Sequence, residues 1–257
     1  MKKTFMSLKR TIFIANWKMN GIPDDIKEIN KVAVFLQKKL KNYNKDIIYC
    51  PPASLLAYFF KNNFSKIVKF GSQDVSITKT PLGAFTGLLS SKILKLSGAE
   101  YVIIGHSEKR ASGDTFKNIK EKIFLASKEN LKIIFCIGES FNDKKKNKSI
   151  NVLIKQIKNS ISKKINLKNI IFAYEPIWSI GTGLVPDTEY LQKVFSFLNR
   201  FLRKNYSIKS PVILYGGSVN ASNIKNLKII NHCSGYLVGG ASLKAKNFIE
   251  IIKNYYN

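Results

Sequence analysis

The chain has 257 residues, 45% of them hydrophobic, which is enough to bury the core of a single domain. Its longest apolar runs are strand-sized and fall far short of the roughly 20 residues that cross a bilayer, so we expect no membrane partner. Three widely spaced cysteines argue against a disulfide framework and against a zinc site.

The net charge of +27 at pH 7 raises the question of a polyanion-binding function, because a basic surface attracts nucleic acids and anionic membranes. Lysine supplies nearly all of this charge, since the chain has only four arginines. The lysines fall on the polar faces of predicted helices, where a solvated surface is the ordinary interpretation. We therefore expect no obligate nucleic-acid partner.

Residues 1–10 form a basic segment ahead of the first apolar run. No apolar stretch with a small-residue cleavage site follows it, so a secretory signal is not indicated and we expect a cytoplasmic protein. We expect this segment to be a flexible extension and residues 11–257 to form the folded domain.

Eight short apolar runs rich in β-branched residues recur along the chain. They span residues 11–15, 47–50, 67–71, 101–105, 132–138, 169–174, 211–215 and 235–238. Nearly all of them are continuously apolar, which is typical of parallel strands buried on both faces.

Apolar residues recur at helical spacing between these runs, for example over residues 150–165. Strands that alternate with helices predict the α/β class, and eight of them predict a single (β/α)8 barrel of parallel strands surrounded by helices. A doubly wound open sheet is the alternative, but it would bring a Gly-rich nucleotide motif after the first strand, where residues 16–20 read NWKMN. The charged segment 141–149 is predicted to be a surface loop.

Polar residues that follow the strands are the candidates for chemistry, because barrels carry their reacting groups at the C-terminal ends of strands. Asn16 and Lys18 follow the first run, although a lysine considered alone would be an ordinary surface residue. His106 follows the fourth run and precedes a predicted helix, whose unpaired amides disfavour the imidazolium form. The other histidine, His232, lies away from the predicted site and is expected to be structural.

Glu175 follows the sixth run and leads into a glycine-rich loop. Such a loop can close over a bound anion and exclude water, so we interpret residues 176–186 as a lid. Glycine pairs follow the seventh and eighth runs, at 216–217 and 239–240, where backbone amides can approach an anion closely. Phosphate binding after these two strands is a recurring feature of barrels.

Together these motifs resemble the triosephosphate isomerase family, in the family's order and spacing. The matching segments are FIANWKMNG at 13–21, QDV at 73–75, GAFTG at 83–87, IGHSEKR at 104–110, CIGE at 136–139, AYEPIWSIGTG at 173–183, YGGSV at 215–219 and LVGGASL at 237–243. The resemblance implies a TIM barrel that interconverts dihydroxyacetone phosphate and D-glyceraldehyde 3-phosphate, in glycolysis and gluconeogenesis, through an enediolate. It implies a small phosphorylated triose as the substrate and a reaction that needs no cofactor or metal.

The resemblance also implies a role for each matching position. Glu175 is the base that moves the proton, His106 is a neutral electrophile, and Lys18 and Asn16 stabilise the enediolate. This family is itself a standard example of catalytic side chains whose pKa values are set by their surroundings. The residues implied to bind the substrate and its phosphate are Asn16, Lys18, Gly181, Ser218, Gly239 and Gly240. The implied lid comprises Pro176, Ile177, Trp178, Ser179, Ile180, Gly181, Thr182, Gly183, Leu184, Val185 and Pro186.

The family usually forms a homodimer, in which the loop around Thr86 docks into the partner's active-site mouth. Leu88 occupies the place of an acidic residue and Lys109 that of an arginine, a pair that is ionic in relatives. Because the loss of both partners can be nearly neutral, we still expect a homodimer.

Two other functions remain as alternatives. The first is a different isomerase or an aldolase on a phosphate-binding barrel, which is disfavoured because the histidine, glutamate and lid motifs all match one family. The second is a catalytically retired barrel that binds polyanions through its lysine-rich surface. The intact set of candidate catalytic residues argues against retirement.

Overall fold

The computed structural model describes residues 10–162 and 165–257. The predicted flexible extension, residues 1–10, lies outside the described residues except for Arg10. No helix in the described part combines the length and the hydropathy that a bilayer crossing requires.

Eight parallel strands close into a barrel, which confirms the predicted fold. The strands follow one another in chain order, and the last pairs with the first. They are β1 Thr11–Asn16, β2 Lys45–Cys50, β3 Val68–Ser72, β4 Tyr101–Ile104, β5 Lys132–Ile137, β6 Ile170–Tyr174, β7 Val212–Tyr215 and β8 Cys233–Val238. Every predicted run overlaps one of these strands, with ends that differ by no more than two residues.

Helices connect the strands and surround the barrel. The α-helices are α1 Ile26–Lys39, α2 Ala53–Asn62, α3 Ser91–Leu96, α4 Ser107–Ala111, α5 Phe116–Lys128, α6 Phe141–Lys145, α7 Ser149–Ser160, α8 Thr188–Tyr206, α9 Ile224–Leu227 and α10 Ala245–Tyr256. Short 3-10 helices add single turns, two of them at the candidate site, over Ile177–Ser179 and Gly240–Ser242.

The barrel buries both faces of its strands. In β1, Ile12 and Ile14 belong to the cluster that fills the barrel interior, whereas Phe13 and Ala15 belong to the larger core between the strands and the helices. Because successive side chains alternate between these two apolar layers, the strand sequences are continuously apolar rather than alternating.

The prediction of a loop at residues 141–149 was wrong, because this segment contains helix α6. Ser140 caps the helix: its hydroxyl accepts from the Asp143 N–H at 3.1 Å, and the Asp143 carboxylate accepts from the Ser140 N–H at 3.1 Å. This is a capping box, and its short sequence signal was obscured by the lysines that follow it.

The helix predicted over residues 150–165 ends earlier, at Ser160. Ile161 is extended, with φ −95° and ψ 122°. The apolar spacing misled the prediction because Ile161 and Ile165 both contact the core from outside the helix.

Gly235 allows β8 to approach β1 closely enough to close the barrel. Its φ is +152°, and an added Cβ would lie 1.9 Å from the Ile12 carbonyl oxygen. Only glycine adopts this conformation and leaves the needed space.

Candidate active site

A cavity of about 290 Å³ lies at the C-terminal ends of the strands. All eight residues predicted to act on the substrate or to hold it line this cavity: Asn16, Lys18, His106, Glu175, Gly181, Ser218, Gly239 and Gly240. They come from the ends of β1, β4, β6, β7 and β8 and from the lid. In the described part of the chain, no cluster of three or more His, Cys, Asp or Glu side chains is arranged to hold a metal ion.

Lys18 stands in a strained turn just beyond β1. Its φ is +52°, in the left-handed region that non-glycine residues seldom adopt. The Asn16 side chain accepts from the Lys18 N–H at 3.2 Å, and the Gln73 amide donates to the Lys18 carbonyl at 2.8 Å. The Lys18 ammonium group donates to Glu108 Oε1 at 2.6 Å. These contacts fix the backbone and direct the cation across the mouth of the barrel.

His106 is the cap residue of α4, and this position defines its tautomer. Its Nδ1 accepts from the Glu108 N–H at 3.2 Å. A neutral ring that accepts at Nδ1 carries its proton on Nε2. Nε2 lies 3.5 Å from Glu175 Oε1, so the Nε2–H group faces the cavity beside the carboxylate.

Glu175 is buried at the end of β6, with 2% of its surface exposed. Its N–H donates to the Ile137 carbonyl at 2.8 Å, which continues the pairing of β5 and β6 past the last strand residue. Two glycines make room for it. A Cβ at Gly138 would lie 1.7 Å from the Glu175 carbonyl oxygen, and one at Gly216 would lie 2.7 Å from Glu175 Cγ.

Burial raises the pKa of the Glu175 carboxyl above its ordinary value of 4.5, while His106, the Cys136 thiol and Lys18 oppose that shift. A raised pKa makes a carboxylate a stronger base, which suits proton abstraction near neutral pH.

This raised pKa predicts a pH-dependent difference in stability between the wild type and the Glu175→Gln variant. Between pH 4.5 and the raised value, the unfolded carboxyl has lost its proton while the folded one still holds it. The free energy of unfolding of the wild type, relative to the variant, therefore falls as pH rises through that window, by up to about 1.4 kcal/mol per pH unit, and is level above it. Urea unfolding of both proteins across this range, at one protein concentration, measures the difference. A difference that stays level or rises would contradict the shift.

The glycine pair after β8 leaves open space for an anion. An added Cβ at Gly240 would meet no atom within 4 Å, and one at Gly239 would meet only the Lys18 side chain, at 4.0 Å. The Ser218 N–H donates to the lid residue Ser179 at 3.3 Å. Backbone amides at such turns bind anions without bulky side chains in the way.

The lid begins with one 3-10 turn, Ile177–Ser179, and its tip lies in solvent. Gly181 and Gly183 have φ of +70° and +77°. The Thr182 hydroxyl donates to the Trp178 carbonyl at 3.1 Å and accepts from the Leu184 N–H at 3.2 Å. These two hydrogen bonds lie within the loop and join its first turn to the tip.

Sequence reasoning assigned no role to Glu139, which holds the start of the lid. This fully buried carboxylate accepts from Trp178 Nε1 at 3.0 Å, from the Tyr174 hydroxyl at 3.1 Å and from the Tyr190 hydroxyl at 2.9 Å. The Lys144 ammonium lies 4.0 Å from the centroid of the Trp178 ring. The CIGE motif was the available signal, but it does not reveal which side chains meet Glu139.

Comparisons with known proteins indicate one family. The profile of the triosephosphate isomerase family matches residues 11–255. Triosephosphate isomerase of Buchnera aphidicola subsp. Schizaphis graminum is 37% identical over 255 residues, which cover 96% of this chain and 98% of that protein. Triosephosphate isomerase of Bradyrhizobium diazoefficiens is 35% identical over 251 residues, covering 95% and 97% of the two chains.

A solved structure supports the same relationship. The crystal structure of triosephosphate isomerase from Bartonella henselae superposes with a TM-score of 0.86 at 31% sequence identity. The match covers 96% of this chain and all of that one. With a barrel of this topology, a complete set of candidate residues around one cavity and similarity over nearly its full length, the chain belongs to the triosephosphate isomerase family.

Proposed function

We propose that the chain interconverts dihydroxyacetone phosphate and D-glyceraldehyde 3-phosphate, with Glu175 as the base. The observation that carries this proposal is the 3.5 Å approach of His106 Nε2 to the buried Glu175 carboxylate, inside a cavity that also holds Lys18 and the glycine turns. Proton abstraction next to a carbonyl needs a base and a hydrogen-bond donor on the same substrate fragment, and this pair supplies both.

The chemistry follows from the positions of these groups. Glu175 removes a proton from one carbon beside the substrate carbonyl and returns it to the neighbouring carbon. The His106 Nε2–H donates to the substrate oxygens while their charge changes. Because the ring is neutral in this tautomer, it donates a hydrogen bond without placing a full positive charge beside the base.

Lys18 and Asn16 stabilise the enediolate from the β1 side of the cavity. The Lys18 ammonium is bound to Glu108, whose side chain is 58% exposed. An anionic substrate can therefore compete for Lys18 at low cost, since exposed ion pairs contribute about 1 kcal/mol or less.

The backbone at Gly181, Ser218, Gly239 and Gly240 is suited to hold the phosphate group. The Ser218 N–H, which donates to the Ser179 hydroxyl, can donate to the phosphate instead when Ser179 moves with the lid. Closure of the loop 176–186 over the substrate would also exclude water from the site. It would keep the enediolate bound, whereas a released enediolate loses its phosphate group.

The test of this function is the rate at which the purified protein converts glyceraldehyde 3-phosphate in a coupled-enzyme assay. Turnover far above the uncatalysed rate supports the proposal. A background rate, together with salt-dependent binding of duplex DNA, would instead support the catalytically retired barrel.

We also propose a homodimer built on the loop around Thr86. Large apolar side chains are exposed in the single chain on both sides of the expected contact: Leu82 (60%) and Leu88 (49%) in this loop, and Met19 (96%) next to Lys18 at the active-site mouth. Exposed large apolar side chains of this kind are typical of an interface. Lys109, which replaces an arginine of the family, pairs with Asp74 at 3.1 Å, so it is not left without a partner.

The dimer predicts a specific loss on the Thr86→Arg change. Sedimentation velocity should give twice the chain mass for the wild type and a shift towards the monomer for the variant, because the new cation must be desolvated at the interface. Thr188→Arg, an exposed threonine in the first turn of α8, is the matched control and should stay dimeric. A monomeric wild type, or equal behaviour of the two variants, would contradict this interface.

We further propose that residues 11–257 form the catalytic domain, preceded by a short extension, and that the protein acts in the cytoplasm. The closed barrel begins at Thr11, and the buried residues Cys50 and Cys136 are free thiols, as suits a reducing compartment. Fluorescence microscopy of the tagged protein in its own cells would test the location.

A further inference from the structure

A second cavity, which we call the basal cavity, lies at the opposite end of the barrel from the candidate active site. Its volume is about 390 Å³, and its basic lining residues are Arg10, Arg203, Lys209 and His232. Arg10 precedes β1, Lys209 precedes β7 and His232 precedes β8, and these three strands are neighbours in the barrel. The six residues of β1 separate the two ends by roughly 20 Å.

The described lining carries positive side chains and no carboxylate of its own. It contains no aspartate or glutamate among the described residues, and Ser210 and Ser234 add hydroxyl donors. Arg203, in the last turn of α8, reaches the same cavity from the helix layer. Three segments that are distant in the sequence thus place cations and donors around one concave surface.

One buried carboxylate pairs with a cation of this lining, and it is shared between two cations. Asp46, which is buried, forms ion pairs with Arg10 and with Lys69, the latter at 2.8 Å. A single carboxylate carries one negative charge, so Asp46 offsets only part of the positive charge at this end of the barrel.

We propose that the basal cavity binds a compact anion that carries two or more phosphate groups. Its volume lies in the range of about 300 to 1,000 Å³ that is typical of small-molecule sites. A guanidinium group can donate two parallel hydrogen bonds to two oxygens of one phosphate. A concave site with cations on several sides fits a small multivalent anion better than a long duplex, which needs an extended basic track. This inference is independent of the isomerase reaction.

Titration calorimetry with inorganic tripolyphosphate tests the proposal, in the presence of saturating glycerol 3-phosphate to occupy the active-site cavity. We expect one site per chain. The double variant R203Q/K209Q should weaken binding at least tenfold, whereas K155Q/K158Q, which removes the same charge from exposed positions of α7, should change it by less than twofold.

Equal weakening by the two double variants would overturn the proposal, because it would show attraction to the overall charge. Unchanged binding in R203Q/K209Q would overturn it as well, and so would tighter binding of a short DNA duplex that competes with tripolyphosphate. The turnover of R203Q/K209Q in the isomerase assay should match the wild type, which shows that the variant is folded.

Discussion

Replacing Glu175 with glutamine lowers kcat by roughly 100- to 10,000-fold, which is the contribution that a positioned base makes to proton transfer. Glutamine has the same shape and fills the space left by Gly138 and Gly216, but it cannot accept the proton. The phosphate-binding turns are unchanged, so KM should change far less than kcat. The variant should also be at least as stable as the wild type near neutral pH, since a buried charge has been removed.

The coupled assay with glyceraldehyde 3-phosphate measures this loss in wild type and variant side by side. Glu250→Gln in α10, which removes a carboxylate from a partly exposed surface, is the control and should keep the wild-type rate within about twofold. A Glu175→Gln protein that retains more than a tenth of the wild-type kcat would place the base elsewhere.

Replacing Lys18 with methionine should lower kcat by roughly 100- to 1,000-fold, because the change removes a preorganised cation where oxyanion charge develops. KM should rise as well, since the substrate is an anion. Methionine keeps an unbranched stem, so the turn that Asn16 and Gln73 hold by backbone contacts should persist. The control is Lys27→Met, whose side chain on α1 is 64% exposed and should not affect turnover.

A double variant separates loss of the Lys18 cation from release of its partner. Glu108 loses its ion pair when Lys18 is replaced, and its free carboxylate would repel an anionic substrate. If the cation itself stabilises the enediolate, Lys18→Met combined with Glu108→Gln stays as slow as Lys18→Met alone. Recovery of most of the rate in the double variant would assign the defect to Glu108 and contradict the role of Lys18.

Local sequence was sufficient to predict the strands and the candidate residues that line the cavity. Continuous apolar runs predict buried parallel strands because both faces of such strands meet apolar layers. The residues directly after these runs, among them Asn16, His106 and Glu175, then fall at one end of the barrel by topology alone. Two helices were predicted wrongly. The segment that forms α6 was predicted as a loop, because its lysines obscured a short capping signal. The end of α7 was placed too late, because the apolar spacing continues past Ser160.

Only the tertiary structure determined which of these residues meet. The pairs Lys18 with Glu108 and Trp178 with Glu139 join residues 90 and 39 positions apart, and no local pattern encodes such a contact. The cations of the basal cavity likewise show no pattern in a lysine-rich sequence until barrel closure places β7, β8 and β1 side by side. Hydrophobic periodicity thus determined the elements, whereas the register and closure of the sheet determined distances and electrostatic partners, since these depend on side chains that the chain brings together only when it folds.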